Sequence, residues 1–173
     1  HGVRRTLLHQ QAEALGFPLV EVTIPQQASN EIYESRMAEA LSRFRDDGIR
    51  TVAFGDIFLE DVRDYRMRQL DALRLQCLFP IWKRDTAELA RTFIDLGFRA
   101  ITTCVDPEKL DSAFVGRLID DAFLADLPDG VDPCGENGEF HSFVFDGPSF
   151  ERAVAVTRGQ VVCRDSFLYC DVV

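Results

Sequence analysis

Cys134-Gly135-Glu136-Asn137-Gly138-Glu139-Phe140-His141, running on into Ser142-Phe143-Val144-Phe145-Asp146-Gly147-Pro148, decides how the second half of this chain is built. From Glu139 the pattern alternates. Phe140, Ser142, Val144 and Asp146 fall on one face, and His141, Phe143 and Phe145 on the other. A period of two is a strand signal. Gly135 and Gly138 interrupt the residues before it and permit positive φ or close approach, so the stretch reads as a tight loop feeding a strand. Glu136, Glu139 and His141 place two carboxylates and an imidazole within six residues. Glu139 and His141, two apart, fall on one side of the strand. Such groups orient or deprotonate a nucleophile, or grip a cationic group. The same residues also suit a solvated acidic turn and a core histidine. No metal site follows from the stretch itself, since further ligands would have to come from elsewhere.

Upstream, helical and β-branched segments alternate. Val3, Leu7, Leu8, Ala12 and Leu15 recur at helical spacing, and Gly16 closes that helix. Leu19–Ile24 reads as a strand between two prolines. A helix capped by Ser29 or Asn30 should carry Ile32, Met37, Ala40, Leu41 and Phe44 to the core. Thr51–Phe54 is a short buried strand, with Gly55-Asp56 where it emerges. A polar helix over about 59–74 clusters Arg63, Arg66, Arg68 and Arg74, and Gln76–Phe79 is the next strand. Asp85 with Glu88 opens a helix that ends at Gly97, and Arg99–Val105 follows as a strand. This rhythm predicts an α/β class: a Rossmann-like parallel sheet over residues 1–106, then a smaller α+β domain over 107–173. In the latter, a helix bearing Leu110, Phe114, Leu118, Ile119 and Phe123 precedes the loop, and strands at 160–163 and 167–170 follow.

In open parallel sheets ligands bind beyond the carboxyl ends of the strands. Asp56 is placed there, and Gly55 lets a ligand come close. Asp56 as a plain helix cap is the competing reading. Arg66 and Arg68 suit an oxyanion, or a solvated helix face. Cys134 lacks the basic surroundings that a catalytic thiolate needs.

Gly135-Glu136-Asn137-Gly138-Glu139-Phe140-His141-Ser142, with Phe143 to Phe150 after it, resembles the signature of the diphthine–ammonia ligase family. These are ATP-dependent amidating enzymes of the PP-loop, adenine-nucleotide alpha-hydrolase (HUP-type) superfamily. The likeness extends through Phe54-Gly55-Asp56-Ile57, Phe79-Pro80-Ile81-Trp82 and Leu96-Gly97-Phe98-Arg99-Ala100, roughly residues 1 to 150. The family's Ser-Gly-Gly-Lys-Asp-Ser phosphate loop is not in this sequence, so an N-terminally truncated member is expected, and the run Asp132-Pro133-Cys134-Gly135-Glu136-Asn137-Gly138-Glu139 resembles bacterial-like members. The resemblance implies ATP and Mg2+ as cofactors, ammonia as co-substrate, and adenylation of a carboxylate followed by amide formation, with AMP and pyrophosphate released. It implies catalytic roles for Glu136, Glu139 and His141. Nucleotide or substrate contacts would come from Gly55, Asp56, Gly135, Asn137 and Gly138. A true diphthamide enzyme would act on a modified histidine of a translation elongation factor. The alternatives are a PP-loop pyrophosphatase acting on another carboxylate, and a truncated, non-catalytic ligand-binding module.

A formal charge of −10 and a pI near 4.7 argue against a sequence-independent grip on nucleic acid. The five cysteines form no Cys-x-x-Cys pair, which reads as reduced thiols in a cytoplasmic protein. No apolar run approaches the ~20 residues of a membrane span. If a first strand is missing, an open apolar edge invites a homodimer, and this chain alone should bind ATP weakly or not at all.

Overall fold

A computed structural model describes residues 2–173. Grouped by their contacts, the described residues up to Leu19 together with Asp85–Val173 form one compact unit, and Val20–Arg84 form another.

In the Val20–Arg84 unit, α2 (Asn30–Asp46) follows α1 (Arg5–Ala14) of the other unit in chain order. Ser29 caps α2, its hydroxyl accepting from the Ile32 N–H. Then come β1 (Thr51–Ala53), α3 (Glu60–Ala72) and β2 (Gln76–Leu78), the two strands pairing in parallel as expected. Three expectations fail here. The strand expected to be buried is not: Thr51 and Ala53 are exposed and Val52 is half-buried, because the two-stranded sheet leaves its faces largely uncovered. Leu19–Ile24 forms no strand, because a strand needs a ladder partner and none among the described residues supplies one. Its residues Val20, Val22 and Thr23 lie beside Ala40 and Phe44 of α2 instead. Nor does α2 reach a core: Met37, Ala40 and Leu41 are half-buried, while Ile32 and Phe44 are exposed. A two-stranded sheet offers one helix too little apolar surface to close over.

In the other unit, α4 (Thr86–Asp95) opens on Asp85, whose carboxylate accepts from the Glu88 N–H at 2.8 Å. β3 (Arg99–Val105) was expected in the parallel sheet. It lies instead in a four-stranded antiparallel sheet with β4 (Phe140–Asp146), β5 (Arg158–Arg164) and β6 (Phe167–Val172), in the order β4-β3-β6-β5. The reason is burial on both sides. Every residue from Ala100 to Val105 is buried, including Thr102 and Thr103, and a β-branched run of that kind does not distinguish parallel from antiparallel neighbours. Asp165 and Ser166 both take positive φ between β5 and β6, the two-residue turn that suits a twisted hairpin.

The helix expected from Leu110 to Phe123 is broken in two. Asp111 accepts from the Ala113 N–H to start a 3-10 turn, and Asp120 accepts from the Phe123 N–H to start α5 (Asp121–Asp126). Between them, Gly116 has φ +73°, and a Cβ there would sit 2.9 Å from the Cys170 sulfur. The apolar residues still reach the core. Phe123 stacks edge-on against Phe114 at 5.3 Å and Phe140 at 5.5 Å. α1 joins the same core through Leu7 and Ala14, and Gln11 donates to the Val144 carbonyl at 2.6 Å. No helix among the described residues is long and apolar enough to cross a membrane.

Candidate functional site

The loop between α5 and β4 is closed on itself by the residues at its two ends. Glu139 Oε1 accepts from the Asp132 N–H at 3.0 Å and from the Asn137 side-chain amide at 3.3 Å. Asp132 Oδ2 accepts from the Glu136 N–H at 2.7 Å, and the Asp132 carbonyl accepts from the Gly135 N–H. Gly135 takes φ +68°, and a Cβ there would lie 2.8 Å from the Phe140 carbonyl oxygen. Only glycine fits. Gly138 turns the chain again, its N–H donating to the Gly135 carbonyl.

Lys109 ties the loop to the end of β3. Its ammonium donates to the Asn137 carbonyl at 2.8 Å and lies 3.5 Å from Asp106, while the Asp106 N–H donates to the Glu139 carbonyl. Asp132 and Lys109 were not singled out in the sequence, because a lone Asp before Pro133 and a lone Lys carry no periodic signal. They hold the loop in shape.

Glu139 itself is 3% exposed and Asp132 is 7% exposed. Glu139 Oε2 is buried and accepts no hydrogen bond. An unmet buried acceptor of this kind costs ~1–3 kcal/mol, and a ligand N–H is the partner that would relieve it. The loop therefore holds one carboxylate oxygen in place and leaves the other buried and unpaired.

His141 lies in β4 opposite Cys104, half-buried, its carbonyl accepting from the Thr103 hydroxyl. Burial holds its imidazole below the ordinary value, so the ring is neutral at pH 7. The unfolded chain then takes up the proton first. Stability is complete above the unfolded value of about 6.5 and declines as pH falls from there toward the folded value. Urea midpoints measured from pH 8 to 5 should show that decline, and His141→Gln should remove part of its slope.

Cys134 donates toward the Thr86 carbonyl at 3.4 Å. Burial, and then the charges of Asp132, Glu136 and Asp85, push its thiol up to about 11. At pH 8 about one molecule in 10³ would carry the thiolate. Iodoacetamide should label Cys134 about 10²-fold more slowly than the exposed Cys163, as read by peptide mass spectrometry.

Gly55 and Asp56 belong to the Val20–Arg84 unit, just past β1. A Cβ on Gly55 would meet nothing within 4 Å, so the fold's own packing does not require glycine there and the space stays open. Asp56 Oδ2 stands 2.7 Å from Arg66 Nε. This is a charge contact rather than an aligned hydrogen bond, since neither atom has a well-directed partner. Glu136, Asn137, Gly135, Gly138 and Glu139 thus gather in one loop with His141 on the strand it feeds, while Gly55 and Asp56 sit in a different unit. Among the described residues no three His, Cys, Asp or Glu side chains group to hold a metal, and Asp56 is already matched by Arg66.

A family model for the diphthamide synthase C-terminal domain matches residues 85–172, just over half the chain and all but the last residue of the Asp85–Val173 part of the unit holding the loop. The human diphthine–ammonia ligase is 26% identical over 181 residues of alignment, covering 93% of this chain and 66% of that protein. The Rattus norvegicus enzyme is 27% identical over 179 residues, with the same coverage. The Danio rerio enzyme is 26% identical, 69% of its length being covered. This chain therefore spans about two thirds of the length of these relatives, and it belongs to the diphthine–ammonia ligase family, whose C-terminal domain it carries.

Proposed function

We propose that this chain is part of an ATP-dependent amide-forming ligase. A carboxylate is activated with ATP, ammonia forms the new C–N bond as the activated C–O bond breaks, and AMP and pyrophosphate leave. The observation that supports this best is the Glu139 carboxylate, buried, fixed through Oε1 and unmet at Oε2. Ammonia reacts through its lone pair, and an acceptor for one of its N–H bonds aims that lone pair. Glu139 is assigned that acceptor role, and Glu136 and the neutral His141 are assigned the removal of the proton released. Gly135, Asn137 and Gly138 shape the substrate side of the loop.

The reading treats residues 1–106 as a nucleotide-binding module. Open space at Gly55 beyond the end of β1 favours a nucleotide there. The phosphate grip is assigned to a segment that this sequence does not contain, and no step is drawn through magnesium.

The test uses the full-length protein with ATP, ammonium chloride and a panel of carboxylates that includes elongation-factor protein bearing diphthine. AMP and pyrophosphate should form in equal amounts and depend on both ammonium and carboxylate. AMP formation with a different carboxylate alone would redirect the substrate. No AMP with any carboxylate, alongside retained ligand binding, would favour a non-catalytic binding module.

A further inference from the structure

Helix α3 places Arg63 and Arg66 three residues apart, on one face, and both guanidiniums lie over aromatic rings. The Arg66 Cζ sits 4.5 Å from the Phe54 ring centre, and the Arg63 Cζ sits 4.8 Å from Trp82 and 5.4 Å from Phe79. Phe54 stacks on Phe79 at 5.6 Å, and Phe79 meets Trp82 edge-on at 6.0 Å. Rings and guanidiniums thus alternate past the ends of β1 and β2.

The two arginines differ in one respect. Arg66 is neutralised by Asp56 at 2.7 Å. Arg63 has no carboxylate partner among the described residues, and its Nε is buried without a hydrogen bond. Phe79 and Trp82 lie on the same side of this guanidinium, their centroids 6.0 Å apart, so they hold it in place and leave its N–H edge to donate. That edge carries Nε–H and one Nη–H side by side, a fork matched to two oxygens of one acid group.

Beside it opens a cleft of about 610 Å³, lined by Arg63, Arg68, Asp71, Gln76, Cys77 and Phe79 among others. Two guanidiniums face one carboxylate there. Burial raises the Cys77 thiol while the charges of Arg66 and Arg63 pull it down, so the thiol lies within the field of both.

We propose that this cleft between α3 and β2 is an oxyanion-binding site, in which Arg63 grips a phosphate or carboxylate group through Nε and Nη and Arg68 adds the second positive charge. Stacking on Phe79 and Trp82 fixes the plane of the fork before the ligand arrives, which limits the ordering cost of binding. The site uses only residues of the Val20–Arg84 unit and stands whether or not the amide-forming reading does.

The test is a titration of chain 1–173 with inorganic pyrophosphate and, separately, succinate. It is followed in the arginine Nε–H region of a proton–nitrogen spectrum, where Arg63→Lys identifies the Arg63 resonance. That resonance should shift and saturate at low millimolar anion or below. Iodoacetamide labelling of Cys77 should slow at least fivefold at saturation while Cys163 is unchanged. Arg63→Lys should lose the protection, since lysine has no planar fork, and Arg68→Gln should weaken it severalfold. Saturation by pyrophosphate alone assigns a phosphate ligand, and by succinate alone a carboxylate. A resonance unmoved by both anions, or moving linearly to 50 mM, overturns the site. So does undiminished protection of Cys77 in a folded Arg63→Lys chain.

Discussion

Glu139→Gln in the full-length protein should lower the rate of pyrophosphate release by ~10²-fold or more, with a small change in melting temperature. The substitution keeps the side chain's shape. Its amide oxygen still accepts from the Asp132 N–H and the Asn137 amide, so the loop stays closed. What changes is the second position, where an acceptor becomes an NH₂ that cannot receive an N–H from ammonia. Glu139→Leu separates this from a purely structural role, because it leaves the Asp132 N–H unmet as well and costs ~1–3 kcal/mol. Glu136→Gln should also reduce turnover, and it keeps the backbone N–H that donates to Asp132. Near-wild-type turnover in both glutamine variants would reduce the loop to a strand cap.

Phe123→Ala should destabilise the chain by ~3–5 kcal/mol, read as a lower urea midpoint with an unchanged slope. Phe123 has no exposed surface and contacts Phe114 and Phe140 ring to ring. Removing it opens a cavity that the short helix α5 cannot collapse to fill. Phe140 is the residue directly after Glu139, and its carbonyl is the atom that forbids a side chain at Gly135. The substitution should therefore loosen the loop before it unfolds the sheet, and hydrogen exchange at the Gly135 and Glu136 amides should rise first. Unchanged exchange there would break the link between core and loop.

Where the sequence could be read, a local rule was enough. The Asp85 and Ser29 caps and the strand of the signature each depend on neighbours a few residues away. The errors came from partners far along the chain. Arg99–Val105 has the composition of a buried strand, and nothing in it names the strand 140–146 as its neighbour. Leu19–Ile24 has strand propensity, but hydrogen bonds come from a second strand, which propensity does not supply. At the site, the spacing of Glu136, Glu139 and His141 was visible. The burial of Glu139 was not, because it depends on Asp132 closing the loop from the other end.

The stack of rings around Arg63 also provides an optical probe. Trp82 is the chain's one tryptophan, and it lies in the Val20–Arg84 unit beneath a guanidinium. Its emission reports that unit and is silent on the antiparallel sheet, whereas far-ultraviolet dichroism sees both. Superimposable denaturation curves from the two signals would mean that the units unfold as one cooperative body. An earlier fluorescence transition would give the smaller unit a stability of its own, and no single free energy would then describe the chain.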